Sequence, residues 1–240
     1  MPITFAHPAA VLPFARTRLP LPALVIGSMV PDLPMFLRVP WYEVTHGPWG
    51  VFGVDIVLAM LGVALWVLVV RDAFVDLAPD VVRGRLPPRV MYSRRDCWLT
   101  PLAACLGALT HVVWDLFTHP DRWGSHHIPW LASTHAGLLG TAWLQHASSI
   151  LATGVLVVVA GRHLRTRSYA STADLRRLPR WTLATAAAAV AIVGVATVID
   201  RWGRSLEVVA YNSVINTLDA AVVGLLILAI VWRLTPRSAG

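Results

Sequence analysis

The chain has 240 residues, 56% of them hydrophobic and 14% charged, with a formal net charge of +7 and a mean hydropathy of +0.63. Soluble domains carry about a quarter charged residues, so a water-covered globule is excluded, and so is a disordered chain. The 20 basic residues are all Arg, which rules out lysine Schiff-base chemistry and a P-loop lysine.

The first apolar stretches are short. Phe5–Ala15 and Leu21–Val30 are split by Arg16-Thr17-Arg18 and by Pro20 and Pro22. They predict a hairpin of two half-length helices within 1–36, re-entrant or lying at the interface. The alternative is one crossing made mainly of Leu21–Phe36. No basic run precedes an apolar one, so no cleavable signal is expected. Five later stretches reach the roughly 20 apolar residues that a bilayer requires. They are Val51–Val70, Trp98–Phe117, Ala142–Gly161, Trp181–Ile199 and Val208–Trp232. Lipid offers backbone N–H and C=O groups no partner, so these must be helices. The expected fold is an all-α polytopic membrane helix bundle, with about five transmembrane helices plus the N-terminal helical hairpin. Within one membrane domain spanning 1–240, residues 1–36 form the hairpin and 37–161 the helices of a candidate metal site. Residues 162–180 form a basic cytoplasmic loop and 181–240 a C-terminal helical pair. Cys97 and Cys105 are too far apart to bridge if they share a helix, and they make no disulfide framework.

Arginine placement orients the chain. Arg71, Arg83, Arg85, Arg89, Arg94 and Arg95 lie in 71–97, and Arg162, Arg165, Arg167, Arg176, Arg177 and Arg180 lie in 162–180. The intervening loops hold Arg38, Arg122, Arg201 and Arg204. The asymmetry puts 71–97, 162–180 and the C-terminus in the cytoplasm of a multi-pass inner-membrane protein. These basic segments suit anionic lipid headgroups. Topology accounts for them fully, and no nucleic-acid partner is expected.

Eight of the nine His residues precede residue 150. The sharpest local pattern is Leu109-Thr-His-Val-Val-Trp-Asp-Leu-Phe-Thr-His119. Residues four apart share a helix face, so His111 and Asp115 point the same way, and His119 continues the stripe until Pro120 stops it. Imidazole and carboxylate presented together make half a metal site. A plain hydrogen bond between two buried polar groups is the competing reading, although charge at membrane depth is costly and usually functional. Asp32 follows Val30-Pro31, and His46 sits just before the first long span. In the hairpin reading, His7 returns beside Asp32. Separate segments would then bring His7, Asp32, His46, His111 and Asp115 to one non-cytoplasmic end.

Gln145 and His146 open the third long span on that same side, where they would orient ligands by hydrogen bonds. His126 and His127, adjacent on an outer loop, read as structural or as facing substrate. Asp55 lies one turn inside its span. Asn212, Asn216 and Asp219 share a face of the last span, where interhelical hydrogen bonding is the favoured role.

The segments Thr4-Phe-Ala-His-Pro-Ala-Ala-Val-Leu-Pro13, Gly27-Ser-Met-Val-Pro-Asp32, His46, Ala108-Leu-Thr-His-Val-Val-Trp-Asp-Leu-Phe-Thr-His-Pro120 and Leu144-Gln-His-Ala-Ser-Ser149 resemble the bacterial membrane family called domain of unknown function 4184, over roughly residues 2 to 230. More loosely, the order of His, Pro-Asp, Thr-His and His-x3-Asp is similar to a family of membrane-bound metal-dependent hydrolases. That pattern has a second carboxylate where Pro34 stands here, and a Ser where Gly47 stands. The resemblance implies a class of chemistry more than a particular reaction.

The leading expectation is a membrane-embedded metal-dependent hydrolase acting on an amphiphilic, lipid-like (phospho)ester. His7, Asp32, His46, His111 and Asp115 would hold one or two divalent cations, zinc or manganese by the chemistry of imidazole and carboxylate donors. A water activated by the metal would attack. Asp115 is also a candidate general base, and His119 a candidate acid for the leaving group. The first competing expectation is a non-catalytic protein whose polar cluster fixes helix packing. A transporter is a weaker third, suggested by Asp55 and Asp219 but without the repeated pair of broken helices that alternating access uses.

Overall fold

The computed structural model describes residues 4–169, 176–179 and 181–236. Part of the basic segment 162–180, including Arg180, lies outside the described residues. The fold is all-α, with five helices long and apolar enough to cross a membrane: Gly50–Leu77, Arg94–Thr118, Gly140–Arg165, Trp181–Asp200 and Val208–Leu234. They are termed spans 1 to 5. Each of the five apolar runs read from the sequence lies in one of them. Spans 1, 2 and 3 run further than the apolar runs, because an Arg or Asp ends an apolar count without ending a backbone hydrogen-bond ladder. Long Arg side chains can lead their charge out to the interface from within the helix. Ser93 begins span 2 with a capping box: its hydroxyl accepts from the Asp96 N–H, and the Asp96 carboxylate accepts from the Ser93 N–H.

The chain divides into two compact units, 1–63 with 92–163, and 64–91 with 164–240. The first contains the N-terminal hairpin. Thr4–Phe14 winds as a tight 3-10 helix with Pro8 and Pro13 inside it, each lacking the N–H that an α ladder needs. After the Arg16–Arg18 turn the chain returns as the helix Leu21–Gly27, breaks through a 3-10 turn at Val30–Asp32, and resumes over Leu33–Leu37. The chain folds back as the hairpin reading expects, since Thr4 donates to Asp32 across the turn, and Leu21–Leu37 taken together is an apolar helix shorter than the five spans.

Leu21–Gly27 packs on span 2 by a contact between small residues. A Cβ added at Gly27 would strike the Ala104 carbonyl, and one added at Gly107 would strike the Leu24 carbonyl and stand 2.7 Å from the Ser28 nitrogen. Two glycines thus let the backbones approach as bilayer helices do at small-residue seams. Val30, Ala59 and Ala104 form a buried cluster beside this seam, with Ile26 and Leu58 against it. The crossing sets the carbonyl of Ser28 beside span 2 one turn beyond Gly107, which decides how His111 is held.

In the second unit, span 4 pairs with span 5, and Asn216 donates to the Thr197 hydroxyl across that pair at 3.2 Å. The favoured interhelical role for the Asn212, Asn216 and Asp219 face is thus realised at Asn216. Val70, Ala73, Ala229 and Trp232 form this unit's core. Asp76 accepts from the Trp232 indole at 2.7 Å, from Arg83 at 3.0 Å and from the Arg177 backbone at 3.0 Å. Arg177 also lies over the Trp232 ring, 4.1 Å from its centroid, and Arg176 donates to the Ala78 carbonyl and the Asp80 carboxylate. These arginines hold local structure in addition to any part in topology.

Candidate metal centre

Four segments of the first unit deliver polar side chains to one place. Span 2 presents His111 and Asp115 a turn apart, with His111 Nε2 3.2 Å from Asp115 Oδ2. Asp32 stands at the start of Leu33–Leu37 but makes no side-chain capping bond there, which leaves its carboxylate free to turn toward span 2. Its Oδ1 is 3.5 Å from His111 Nε2. His46 follows the short helix Tyr42–Thr45 and brings Nε2 to 3.4 Å from Asp115 Oδ2 and 3.8 Å from Asp32 Oδ1. All four are buried, and one ligand atom from each lies within 4.8 Å of every other.

Backbone carbonyls set the tautomers. His111 Nδ1 donates to the Ser28 carbonyl at 2.8 Å, and His46 Nδ1 donates to the Tyr42 carbonyl at 2.9 Å. A carbonyl only accepts, so each Nδ1 carries the proton, and in the neutral ring each Nε2 is a lone pair aimed into the cluster. Outer partners that fix the ring in this way are the usual support of a metal-binding His. Asp32 is oriented likewise, because Thr4 donates its hydroxyl to Oδ2 at 2.6 Å and leaves Oδ1 facing the imidazoles. The Thr45 hydroxyl ties the His46 segment to the Asp32 turn through the Pro31 carbonyl at 2.8 Å. The Tyr42 ring stacks on His46 with centroids 3.9 Å apart. Burial, then the Asp115 and Asp32 carboxylates, raise the Tyr42 hydroxyl above its ordinary value and keep it protonated.

The donors fit a metal ion. His46 Nε2, His111 Nε2 and Asp115 Oδ2 are buried without a hydrogen-bond partner, although each imidazole nitrogen stands only 3.2–3.4 Å from the Asp115 oxygen. Lone pairs pressed together out of water need a proton or a cation between them. Two ligands bound at about 2.1 Å to one tetrahedral ion are about 3.4 Å apart, which the His111–Asp115, His46–Asp115 and His111–Asp32 pairs match at 3.2, 3.4 and 3.5 Å, with His46 and Asp32 wider at 3.8 Å. Burial opposes the charge on Asp32, while a protonated His111 ring and the Thr4 hydroxyl hold its carboxyl below the ordinary range; without that second proton on His111, a cation would take its place.

His7 stands beside this group. Its ring stacks on His111 with centroids 3.7 Å apart, its Nε2 is 3.8 Å from Asp115 Oδ1, and neither ring nitrogen has a hydrogen-bond partner. Burial, and after it the His111 ring, lower its pKa to about 3, so the imidazole is neutral at physiological pH. His119 follows the last residue of span 2 in extended conformation. It still reaches Asp115, Nδ1 to Oδ1 at 3.4 Å, from a partly open position.

Gln145 is buried and His146 exposed. Around the candidate ligands stand Thr4, the Ser28 and Tyr42 carbonyls, and Thr118, whose hydroxyl lies 3.4 Å from Asp115 Oδ1. Thr4 belongs to the opening motif and could have been suspected from it, but carbonyls of Ser28 and Tyr42 leave no trace in residue type. His127 bonds the Trp123 carbonyl and stacks on the Trp123 ring, a local structural role. A cavity of about 10 Å³ beside the cluster, lined by His46, Asp115, Val112, Leu116 and Arg122, has room for about one water molecule.

Five apolar spans and a buried centre of two carboxylates and two imidazoles make this a helical membrane protein able to hold a metal ion. The chain belongs to the family described as domain of unknown function (DUF4184), whose model matches residues 1–230. No curated protein and no solved structure matches it.

Proposed function

We propose that the protein is a metal-dependent hydrolase embedded in the bacterial inner membrane, acting on an amphiphilic phosphoester. Asp32, His46, His111 and Asp115 hold a divalent cation, zinc or manganese, and His7 supplies a neutral imidazole beside them. The observation that carries this reading is the buried set of His46 Nε2, His111 Nε2 and Asp115 Oδ2, gathered with no hydrogen-bond partner. A bound cation would lower the pKa of a water and draw charge from a phosphoryl oxygen.

Asp115 faces two ways. Oδ2 looks toward the ligands, while Oδ1 looks toward His119. Water adds to phosphorus and gives its proton to Asp115. The ester P–O bond breaks, and the departing alcohol oxygen takes a proton from His119. The Asp115–His119 contact then returns the first proton to His119.

Elemental analysis of detergent-purified full-length protein tests the centre and should find on the order of one divalent ion per chain. Hydrolysis of phosphomonoester and phosphodiester lipids by the same preparation tests the reaction. The competing packing reading draws on the His111–Ser28 bond that ties the hairpin to span 2. It expects a metal-free protein and no turnover. The arginine asymmetry supports a cytoplasmic location for 71–97 and 162–180 and the opposite face for the centre. A lone cysteine at exposed position 126 (His126→Cys in a Cys-free chain) should then be labelled in intact cells. Labelling only after permeabilisation reverses the orientation.

A further inference from the structure

The recess beside the centre, with room for about one water, is lined by two of the candidate ligands, His46 and Asp115, and, among the described residues lining it, by one permanently charged cation, Arg122; a phosphoryl group would enter it only as the Arg122–Glu43 pair opens. That guanidinium is held by Glu43 through Nη2, at 3.0 Å to Oε1 and 3.1 Å to Oε2. The pair is open to water, with the Glu43 side chain 76% exposed and that of Arg122 29% exposed. An ion pair this exposed contributes little to stability and is readily exchanged. Val112 and Leu116 supply the apolar part of the wall, from the same helix that carries Asp115. Leu109 and Val113 extend that helix's exposed apolar surface.

Charge balance makes the arrangement informative. A divalent ion held by Asp32 and Asp115 is neutralised by its own ligands. It then offers little net attraction to a substrate carrying one or two negative charges. A second cation must supply that attraction, and a guanidinium does so with a fork of donors matched to phosphoryl oxygens. Glu43 presents to Arg122 the two oxygens that a phosphoryl group would present.

We propose that Arg122 is the specificity-determining residue that receives the anionic oxygens of a phosphoryl group at this centre, and that Glu43 occupies it until substrate arrives. The proposal rests on the metal centre described above. The shared ligand chemistry is a phosphoryl group, whether carried by a lipid headgroup or by a soluble phosphate.

Binding of inorganic phosphate to metal-loaded, full-length protein in neutral-lipid nanodiscs tests it, with metal content measured on every sample. Hydrogen bonds to charged groups are worth roughly 1.5–3 kcal/mol, or about 10–100-fold in affinity. Arg122→Gln should weaken phosphate binding by that factor while keeping its metal, and Arg122→Lys should recover part of it. Glu43→Gln breaks the same pair but frees Arg122, so it should bind phosphate at least as tightly as the wild type. If the pair only braces the His46 segment, Arg122→Gln and Glu43→Gln will change phosphate binding in the same direction, and the proposal falls. Equal binding by wild type and Arg122→Gln, both with metal, also overturns it and leaves the metal centre standing. A wild type without metal removes the hydrolase reading first. Nanodiscs containing a phosphomonoester lipid distinguish the sources. Competition with inorganic phosphate assigns the site to headgroups, and its absence, with the Arg122 effect intact, assigns it to soluble phosphates.

Discussion

Replacing His111 by Ala should empty the centre. His111 is wholly buried, its Nε2 faces both Asp32 and Asp115, and its Nδ1 is committed to the Ser28 carbonyl. Loss of an outer hydrogen-bonding partner alone costs a metal site roughly 10–100-fold in affinity, and loss of a ligand should cost more. Asp115→Asn should act as strongly. It keeps the size of the side chain but removes the charge that faces His46 and His111, and it disturbs the contact with His119. Zinc or manganese titration of the metal-stripped protein measures both. Insertion should survive, because span 2 keeps its apolar run in either variant. Retention of full metal affinity by both variants would show that the ligands are elsewhere.

The second large effect concerns the glycine seam. Gly107→Val should destabilise the first unit and weaken metal binding together. Its new Cβ would strike the Leu24 carbonyl, so Leu21–Gly27 must move off span 2. Overpacking of a close contact costs about 1–3 kcal/mol, and the collision here is with backbone, which cannot rotate away. The Ser28 carbonyl moves with its helix and releases His111 Nδ1. Asp32 lies four residues further on, so the shift reaches two of the four ligands. Thermal unfolding in detergent and metal titration measure the two losses. Gly161→Val is the control, because a Cβ at Gly161 meets nothing within 4 Å. Unchanged metal affinity in a destabilised Gly107→Val protein would uncouple the seam from the centre.

Much of this protein is written in local pattern. Span number follows from apolar run length, because lipid leaves a backbone no option but a helix. The pairing of His111 with Asp115 follows from their spacing, since helix geometry alone brings residues four apart to one face. The broken start follows from Pro20, Pro22 and the Arg16–Arg18 turn, which interrupt any run long enough to cross.

Tertiary structure decided the rest. The 3-10 winding of Thr4–Phe14, the exposure of His146 and the stacking of His7 on His111 depend on what packs beside each residue. The sequence of 27–32 does not state that Ser28 would accept from His111, because any residue type carries the same carbonyl. Nor does residue type reveal that Arg122, read as one of four outer-loop charges, lines a cavity with the candidate ligands His46 and Asp115. By itself the sequence determined a membrane protein of five apolar helices with His and Asp at candidate positions, because helical periodicity and bilayer thickness act on neighbours along the chain. Which lone pairs converge was decided by the approach of Gly27 and Gly107 and by the return of the hairpin, since contacts between distant segments are set by packing and not by spacing.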